Sequence, residues 1–360
     1  MTAVRGAATA AQALCLGESM AVLLPDRPGP LETVDGFRRT VGGAESNVAC
    51  ALAALGIPTA WLSRVGADGF GRRLLVELAA HGVDTSAVVI DPDRPTGLYV
   101  KEVGGAAEHP HDLGPGNSRL HYYRTGSAAA ALGPELLEDP AAAELLAGAR
   151  LLHLSGITAA LSDSCLALLR ALLAAPRAGR LISFDLNWRP ALWRHRDPAV
   201  LPELLDAADL VLLGADEAEQ AFGTGTPDEL RALLPRPATL VVKEAGRAAT
   251  ALARDGRRVT EPALRVEVVE PTGAGDAFAA GYLAGTLRGL DQRRRLRLGH
   301  LAAATALTSP GDQGTLPPPA LVTALLAADE AQWAATRVGP AGVDSPVTAP
   351  SPDPSESGDR

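Results

Sequence analysis

The stretch Glu270–Gly281, E-P-T-G-A-G-D-A-F-A-A-G, sets a carboxylate, Asp276, directly after a Gly-Ala-Gly turn. Val266, Val268 and Val269 before it read as a strand ending, and the Ala-rich run after it has apolar residues at helical spacing. A helix start carries backbone N–H groups without intrahelical acceptors and a partial positive charge, so it stabilises an anion. Gly273 and Gly275, flanking Ala274, lack a Cβ and let a phosphate approach the main chain. A carboxylate one side-chain length away can take a proton from a hydroxyl as it attacks a phosphoryl group. The same carboxylate would equally complement the helix dipole, and the motif alone does not separate the two readings.

A second group lies far upstream. V-G-G-A-E-S-N, Val41–Asn47, opens an Ala-rich helix and leads to R-V-G-A-D-G-F-G, Arg64–Gly71. Its paired glycines permit close approach of a ligand, although a tight turn explains them as well. Three of the four tyrosines, Tyr99, Tyr122 and Tyr123, fall on short strand-like stretches with one polar face. Alternation puts Tyr122 and Arg124 on one side and Tyr123 on the other, where an aromatic merely covering an edge strand is the competing reading. Arg189 follows the apolar run Leu181–Leu186, at the carboxyl end where open α/β sheets bind ligands. With Arg124 it would form a cationic fork for a carboxylate, against the plainer reading of a solvated loop residue.

T-G-A-G-D-A-F-A-A-G resembles the C-terminal signature of the ribokinase-like sugar kinases, the PfkB carbohydrate kinase family. Gly42, Gly43, Asn47, Gly56, Gly66, Asp68 and Gly71 resemble the N-terminal signature of the same family, and the likeness runs from about Leu14 to Leu316. The resemblance implies that Asp276 is the catalytic base, that the Gly273-Ala274-Gly275 backbone is the anion hole, and that Gly43 and Asn47 contact sugar hydroxyls. T-G-L-Y-V (Thr96–Val100), H-Y-Y-R-T-G-S-A (His121–Ala128), L-H-L-S-G-I-T (Leu152–Thr158) and F-D-L-N-W-R (Phe184–Arg189) are similar to the branch that phosphorylates 2-keto-3-deoxygluconate at its 6-hydroxyl. There the residues matching Tyr99, Tyr122, Arg124 and Arg189 contact substrate. Fructokinases share the D-x-N-x-R element, so fructokinase is the nearest alternative. A sugar- or nucleotide-binding module without catalysis is opposed by Asp276 and its intact turn.

The family also implies ATP and Mg²⁺. Its N-x-x-E element falls on Gly214–Glu217, where the Asn is missing and Glu217 remains to organise Mg²⁺ through water. K-E-A-G keeps Lys243 and Gly246, with Ala245 where the family often has Gly. The resemblance assigns ATP contacts to Glu217, Lys243, Gly246, Gly273, Gly275 and His300, with the Gly311–Gly314 loop closing the adenine side. Glu270 stands where the family often carries Asp near a monovalent cation, which adds such an ion to the cofactors to be tested.

These residues need elements to hold them. Short, wholly apolar runs (Leu151–Leu154, Leu181–Leu186, Leu210–Leu213, Leu240–Val242) alternate with helical stretches, as in a mainly parallel sheet with crossover helices. Half-polar strands in the N-terminal third, within about residues 20–42 and 96–125, predict a small antiparallel β lid. The Gly104–Ser118 loop joins two of them, and its His109 and His111 read as solvated rather than metal-ligating. The fold class expected is therefore α/β and ribokinase-like, as one kinase domain over residues 13–335. Residues 1–12 and 336–360, poor in groups to bury, are expected to be disordered.

Composition narrows the partners. The 360 residues carry a net charge of −9 and are 47% hydrophobic, which argues against nucleic acid or an anionic membrane and leaves enough apolar surface for a large core. Of 33 basic residues only Lys101 and Lys243 are lysines, a composition bias. Cys15, Cys50 and Cys165 lie far apart in no metal-binding pattern, so neither disulfides nor zinc is indicated, and a reducing cytoplasm fits. No secretory signal or membrane span is apparent. Expected partners are small molecules, a sugar acid and ATP, with a homo-oligomer compatible with the sequence.

Overall fold

The computed structural model describes residues 10–106, 109–309 and 314–347. Nine strands form the main sheet in the order Arg258–Pro262, Ala248–Ala253, Thr239–Lys243, Leu210–Gly214, Leu181–Asp185, Leu151–Ser155, Ala13–Leu16, Thr59–Leu62, Val83–Asp84. The seven from Thr239–Lys243 to Val83–Asp84 are parallel, and a hairpin adds the last two antiparallel at the far edge. Alternation along each strand divides two cores. Leu14, Leu16, Leu152, Leu154 and Phe184 face one side, while Ala13, Cys15, Leu151 and Leu212 face the other. With both faces covered, the strands read as continuous apolar runs, and that is why they were visible in the sequence.

The chain starts in the middle of this sheet. After Ala13–Leu16 it builds outward through Thr59–Leu62, then returns to Leu151–Ser155 and builds in the opposite direction. A switch point results between Ala13–Leu16 and Leu151–Ser155, and the carboxyl ends around it form a natural crevice. Gly17–Ser19, Ser155, Asp185, Gly214 and Lys243 all lie at those ends.

The lid is a separate four-stranded sheet in the order Phe37–Gly42, Met20–Pro25, Leu98–Val103, Ser118–Tyr123. Its outer pairings are antiparallel and its central one is parallel, with Val22 opposite Tyr99. Only three residues, Gly17–Ser19, separate the first core strand from the lid, so it is rooted at the switch point.

Two helices frame the crevice. Ala44–Ala54 starts where the backbone of Gly43 passes so close to Glu18 and Ser19 that a Cβ would lie 2.3 Å from the Glu18 carbonyl oxygen. Ala274–Leu287 starts at Gly273, whose φ of 80° is left-handed and suits glycine. The latter is rich in Ala and Gly because it is buried over Ala277–Gly285 and presses against Gln292–Leu307; a Cβ on Gly281 would meet the Leu298 carbonyl oxygen at 2.4 Å.

The expected disorder of residues 336–360 does not hold at its start. Arg337–Gly339 and Gly342–Asp344 form a hairpin that pairs with Arg265–Val266, and Val338 packs near Leu264 and Trp333. Val338 and Val343, opposite each other across the hairpin, supply the few apolar groups this needs; residues 348–360 lie outside the described residues. At the other end residues 1–9 also lie outside, while Gln12 is already held, donating its N–H to the Pro58 carbonyl at 2.8 Å. Among the described residues no helix is long and apolar enough to cross a membrane.

Candidate active site

Asp276 sits in the first turn of the Ala274–Leu287 helix, and its Oδ2 accepts a hydrogen bond from Asn47 Nδ2 at 2.9 Å. This contact joins the two glycine-containing motifs, 229 residues apart in the chain. Asn47 lies one turn into the Ala44–Ala54 helix, so Gly43, by allowing close passage beside Glu18, sets where the amide can reach.

Lys243 approaches the same turn from the end of its strand. Its Nζ lies 3.9 Å from where a Cβ on Gly275 would be, and 3.0 Å from Asp185 Oδ2. Burial disfavours its charge, but the carboxylates of Asp185, Glu217 and Asp276 outweigh that and raise its pKa. Lys243 is thus a fixed cation beside the helix start. Gly246, by contrast, lies at the tip of the adjoining hairpin with open space around it, and the neighbouring Ala245 takes the strained left-handed φ of 50°.

Asp185 was missed as a site residue, though it is the first residue of the D-x-N-x-R element. It ends an apolar strand beside Ser155, is 4% exposed, and also accepts the Asn187 N–H at 3.2 Å. A buried acid at the carboxyl end of a core strand was the signal available. Glu217 caps its own helix by accepting the Gly214 N–H at 3.2 Å, while its other oxygen meets Arg189 Nη1 at 3.2 Å. Burial raises its pKa, opposed by Lys243 and reinforced by Asp185. Asp185 and Glu217, whose charges interact and both act on Lys243 beside the Gly273–Gly275 turn, are hard oxygen donors of the kind a divalent cation takes.

The expected guanidinium fork is not formed. Arg189, 48% exposed in its side chain, is drawn to Glu217. Arg124 is buried and paired with Glu18, which also accepts from Ser127 Oγ at 2.9 Å. Each guanidinium already faces a carboxylate of the protein, and for buried Arg124 the partner is required because an ion leaving water must be paired. Burial nonetheless raises the Glu18 pKa, against the pull of Arg124 and Ser127.

The aromatic part of the lid agrees with the strand reading. Tyr99 and Tyr122 are opposite each other in register, with ring centroids 5.5 Å apart, and Arg124 lies 5.5 Å from the Tyr122 ring centre. Tyr123 is 64% exposed, as alternation requires.

Other expectations are met differently by the structure. His300 is buried, with its Nε2 3.0 Å from the Glu261 carbonyl oxygen and its ring edge-on to Phe278, and burial lowers its pKa to about 4. It is a neutral imidazole packed between the Glu261 backbone and the Phe278 ring. Residues 311–313 lie outside the described residues, and Gly314 packs against the backbone of Thr305. Glu270 faces a cation belonging to the protein itself: Lys101 Nζ is 2.6 Å from its Oε2. His111 is not merely solvated, since its Nδ1 contacts Glu32 Oε1 at 2.5 Å.

Asp68 has a structural role. It accepts from the N–H groups of Gly71 and Thr96 at 2.7 and 2.8 Å, pinning the start of a helix to the root of a lid strand. A cavity of about 1200 Å³ touches the site only through Asn47 and Ala277 and runs toward His81 and Arg288, away from Asp185 and Lys243. The chemistry is better placed in the charged cluster, where acid, cation and helix start converge.

An open α/β sheet with a switch-point crevice, a helix-start anion site beside an acid, and a β lid defines a small-molecule phosphotransferase architecture. Residues 10–319 match the pattern of the pfkB family carbohydrate kinases, and the chain belongs to that family. It is 36% identical over 319 residues to a 2-dehydro-3-deoxygluconokinase of Thermoproteus tenax, covering 88% of this chain and 94% of that one. Among solved structures, a PfkB protein from Polaromonas sp. JS666 superposes with a TM-score of 0.72 at 34% identity, covering 85% and 98% of the two chains. A sugar kinase from Pyrococcus horikoshii, solved in complex with ATP, gives a TM-score of 0.72 at 25% identity, covering 89% and 98%. The ribokinase-like fold expected from the sequence is the fold observed.

Proposed function

We propose that the chain transfers the γ-phosphoryl group of ATP to the 6-hydroxyl of 2-keto-3-deoxygluconate. The observation that carries the chemistry is the convergence of Asn47, Asp276 and Lys243 on the Gly273–Gly275 helix start. Asp276 takes the hydroxyl proton as the oxygen attacks, and Asn47 holds that carboxylate in place. The N–H groups of the turn and the Lys243 ammonium meet the charge on the transferred group. Asp185 and Glu217 would hold Mg²⁺, directly or through water, and the ion when bound neutralises phosphate charge. The ATP complex of the Pyrococcus horikoshii kinase supports the choice of donor, and the Thermoproteus tenax relative supports the choice of acceptor. Tyr99, Tyr122 and Arg124 form the wall offered to the sugar, and closing it excludes water that would otherwise hydrolyse ATP.

Fructokinase is a second reading, favoured by one observation: Arg124 is already neutralised by Glu18, which suits a neutral ketose as well as an acid. Measuring kcat/KM on keto-acid, ketose and aldose substrates separates the two. A preference for the keto acid by tenfold or more is expected. Preference for fructose would overturn the acid assignment, and absence of transfer to every sugar would overturn catalysis.

A further inference from the structure

Only two lysines occur among 33 basic residues, and the composition otherwise favours arginine heavily. One of them, Lys243, stands at the proposed transfer site. The other, Lys101, lies on the lid strand Leu98–Val103, two residues beyond Tyr99 and therefore on the same face. Its Nζ is 2.6 Å from Glu270 Oε2, with only 13% of the lysine side chain and 22% of the glutamate side chain exposed.

Glu270 uses its other oxygen differently. Oε1 accepts from Thr272 N at 3.1 Å and from Thr272 Oγ1 at 2.6 Å, one residue before the left-handed Gly273. The Val269 and Glu270 N–H groups donate to the Leu307 carbonyl at 2.8 and 3.2 Å, fastening the loop to the end of the neighbouring helix. Burial disfavours the Glu270 charge, but Lys101 and Thr272 prevail and its pKa is lowered. One carboxylate thus connects the lid face to the turn that cradles the transferred phosphoryl group. Lysine suits this place because a compact ammonium fits a half-enclosed carboxylate where a planar guanidinium needs more room.

We propose that Lys101 is a positioning residue of the transfer reaction, latching the lid to the anion-hole turn through Glu270. When the lid is seated, the latch fixes Thr272 and with it the direction of the N–H groups at Gly273–Gly275. When the lid lifts, the turn loses that restraint, so phosphoryl transfer is tied to a closed, dry site. The proposal rests on the sugar kinase reading above for its kinetic consequence, while the structural coupling stands apart from it.

The test uses the full chain with Lys101→Met, which keeps the stem and removes the charge, Glu270→Gln, and the double variant. Lys101→Met is expected to lower kcat by about tenfold with KM for the sugar changed less than threefold, and to raise the ratio of ATP hydrolysis to sugar phosphorylation. Glu270→Gln should do the same, and the double variant should be no worse than the worse single one. The charge-swapped pair Lys101→Glu with Glu270→Lys should recover part of the loss. Hydrogen exchange on the ligand-free proteins supplies a readout that needs no substrate: the Thr272–Gly275 amides should exchange faster in Lys101→Met than in wild type, although residue 101 belongs to the lid. Wild-type kinetics in Lys101→Met, independent losses in the cycle, or unchanged exchange at that turn would each overturn the latch. A wild-type protein that phosphorylates no sugar would sink the kinase reading instead, and the exchange measurement would still decide the coupling.

Discussion

At the scale of single residues, the strongest assignment is the one that joins two distant motifs. Asp276 in a helix start has two explanations, but an acid held by Asn47 beside a largely enclosed, charged Lys243 is costly to maintain for helix capping alone. Asp276→Asn should lower kcat by roughly 10²–10⁴ with little change in melting temperature, checked by steady-state kinetics beside a thermal melt. Near-wild-type turnover would remove the residue from the mechanism. Asp276, Gly43 and Asn47 were legible because glycines and a lone acid at fixed offsets survive in the sequence as a pattern. The pairing of Arg124 with Glu18 was not legible, since Glu18 lies 106 positions away on a loop with no motif of its own. Lys101 was hidden for a similar reason, since a partner that neutralises a charge is set by the fold and carries no spacing signature, whereas Asp185 stood in the D-x-N-x-R element and was legible but passed over.

Elements decide how firmly those residues are held. The Ala274–Leu287 helix reads in the sequence as merely Ala- and Gly-rich, yet the small residues have a purpose visible only in three dimensions. Gly281 lets the helix touch the backbone of Gln292–Leu307, and Gly285 does the same at Arg295. Replacing Gly281 by Ala gains up to about 1 kcal/mol of helix propensity, whereas forcing apart two backbones packed at this distance costs about 1–3 kcal/mol. The contact should win. Gly281→Ala is expected to lower the melting temperature and, by tilting the helix start, to reduce kcat more than KM. A variant as stable as wild type would show that the helices separate freely. The parallel strands were easy to read because both of their faces are buried, whereas the parallel pairing at the centre of the lid was not, since a half-exposed strand shows alternation but not direction.

For the whole molecule, a chain that begins in the middle of its sheet concentrates its ligand-facing ends at one crevice, and everything remote from that crevice serves stability. The C-terminal hairpin is the clearest case. Composition made residues 336–360 look dispensable, because Pro, Ser and Asp dominate and the few valines are widely spaced. Two of those valines nonetheless stand opposite each other across a hairpin. Val338 is 3% exposed, Thr336 is fully buried and donates from its Oγ1 to the Gln332 carbonyl at 2.9 Å, and Arg337–Gly339 covers the edge of Arg265–Val266. Full burial of a valine is worth about 1.5–3 kcal/mol, and the uncovered strand edge adds to the loss. Truncation after Ala335 should therefore lower the melting temperature by several degrees and promote aggregation through the exposed edge. Truncation after Val347, which spares the hairpin, should leave both melting temperature and kcat unchanged. Because Arg265–Val266 leads into the Glu270–Gly273 loop, the shorter form is also expected to lose activity beyond its loss of folded protein, measured as kcat per folded molecule at a temperature where both forms are native. Equal melting temperatures for the two truncations would mean that the hairpin contributes nothing and that the compositional reading of this segment was right.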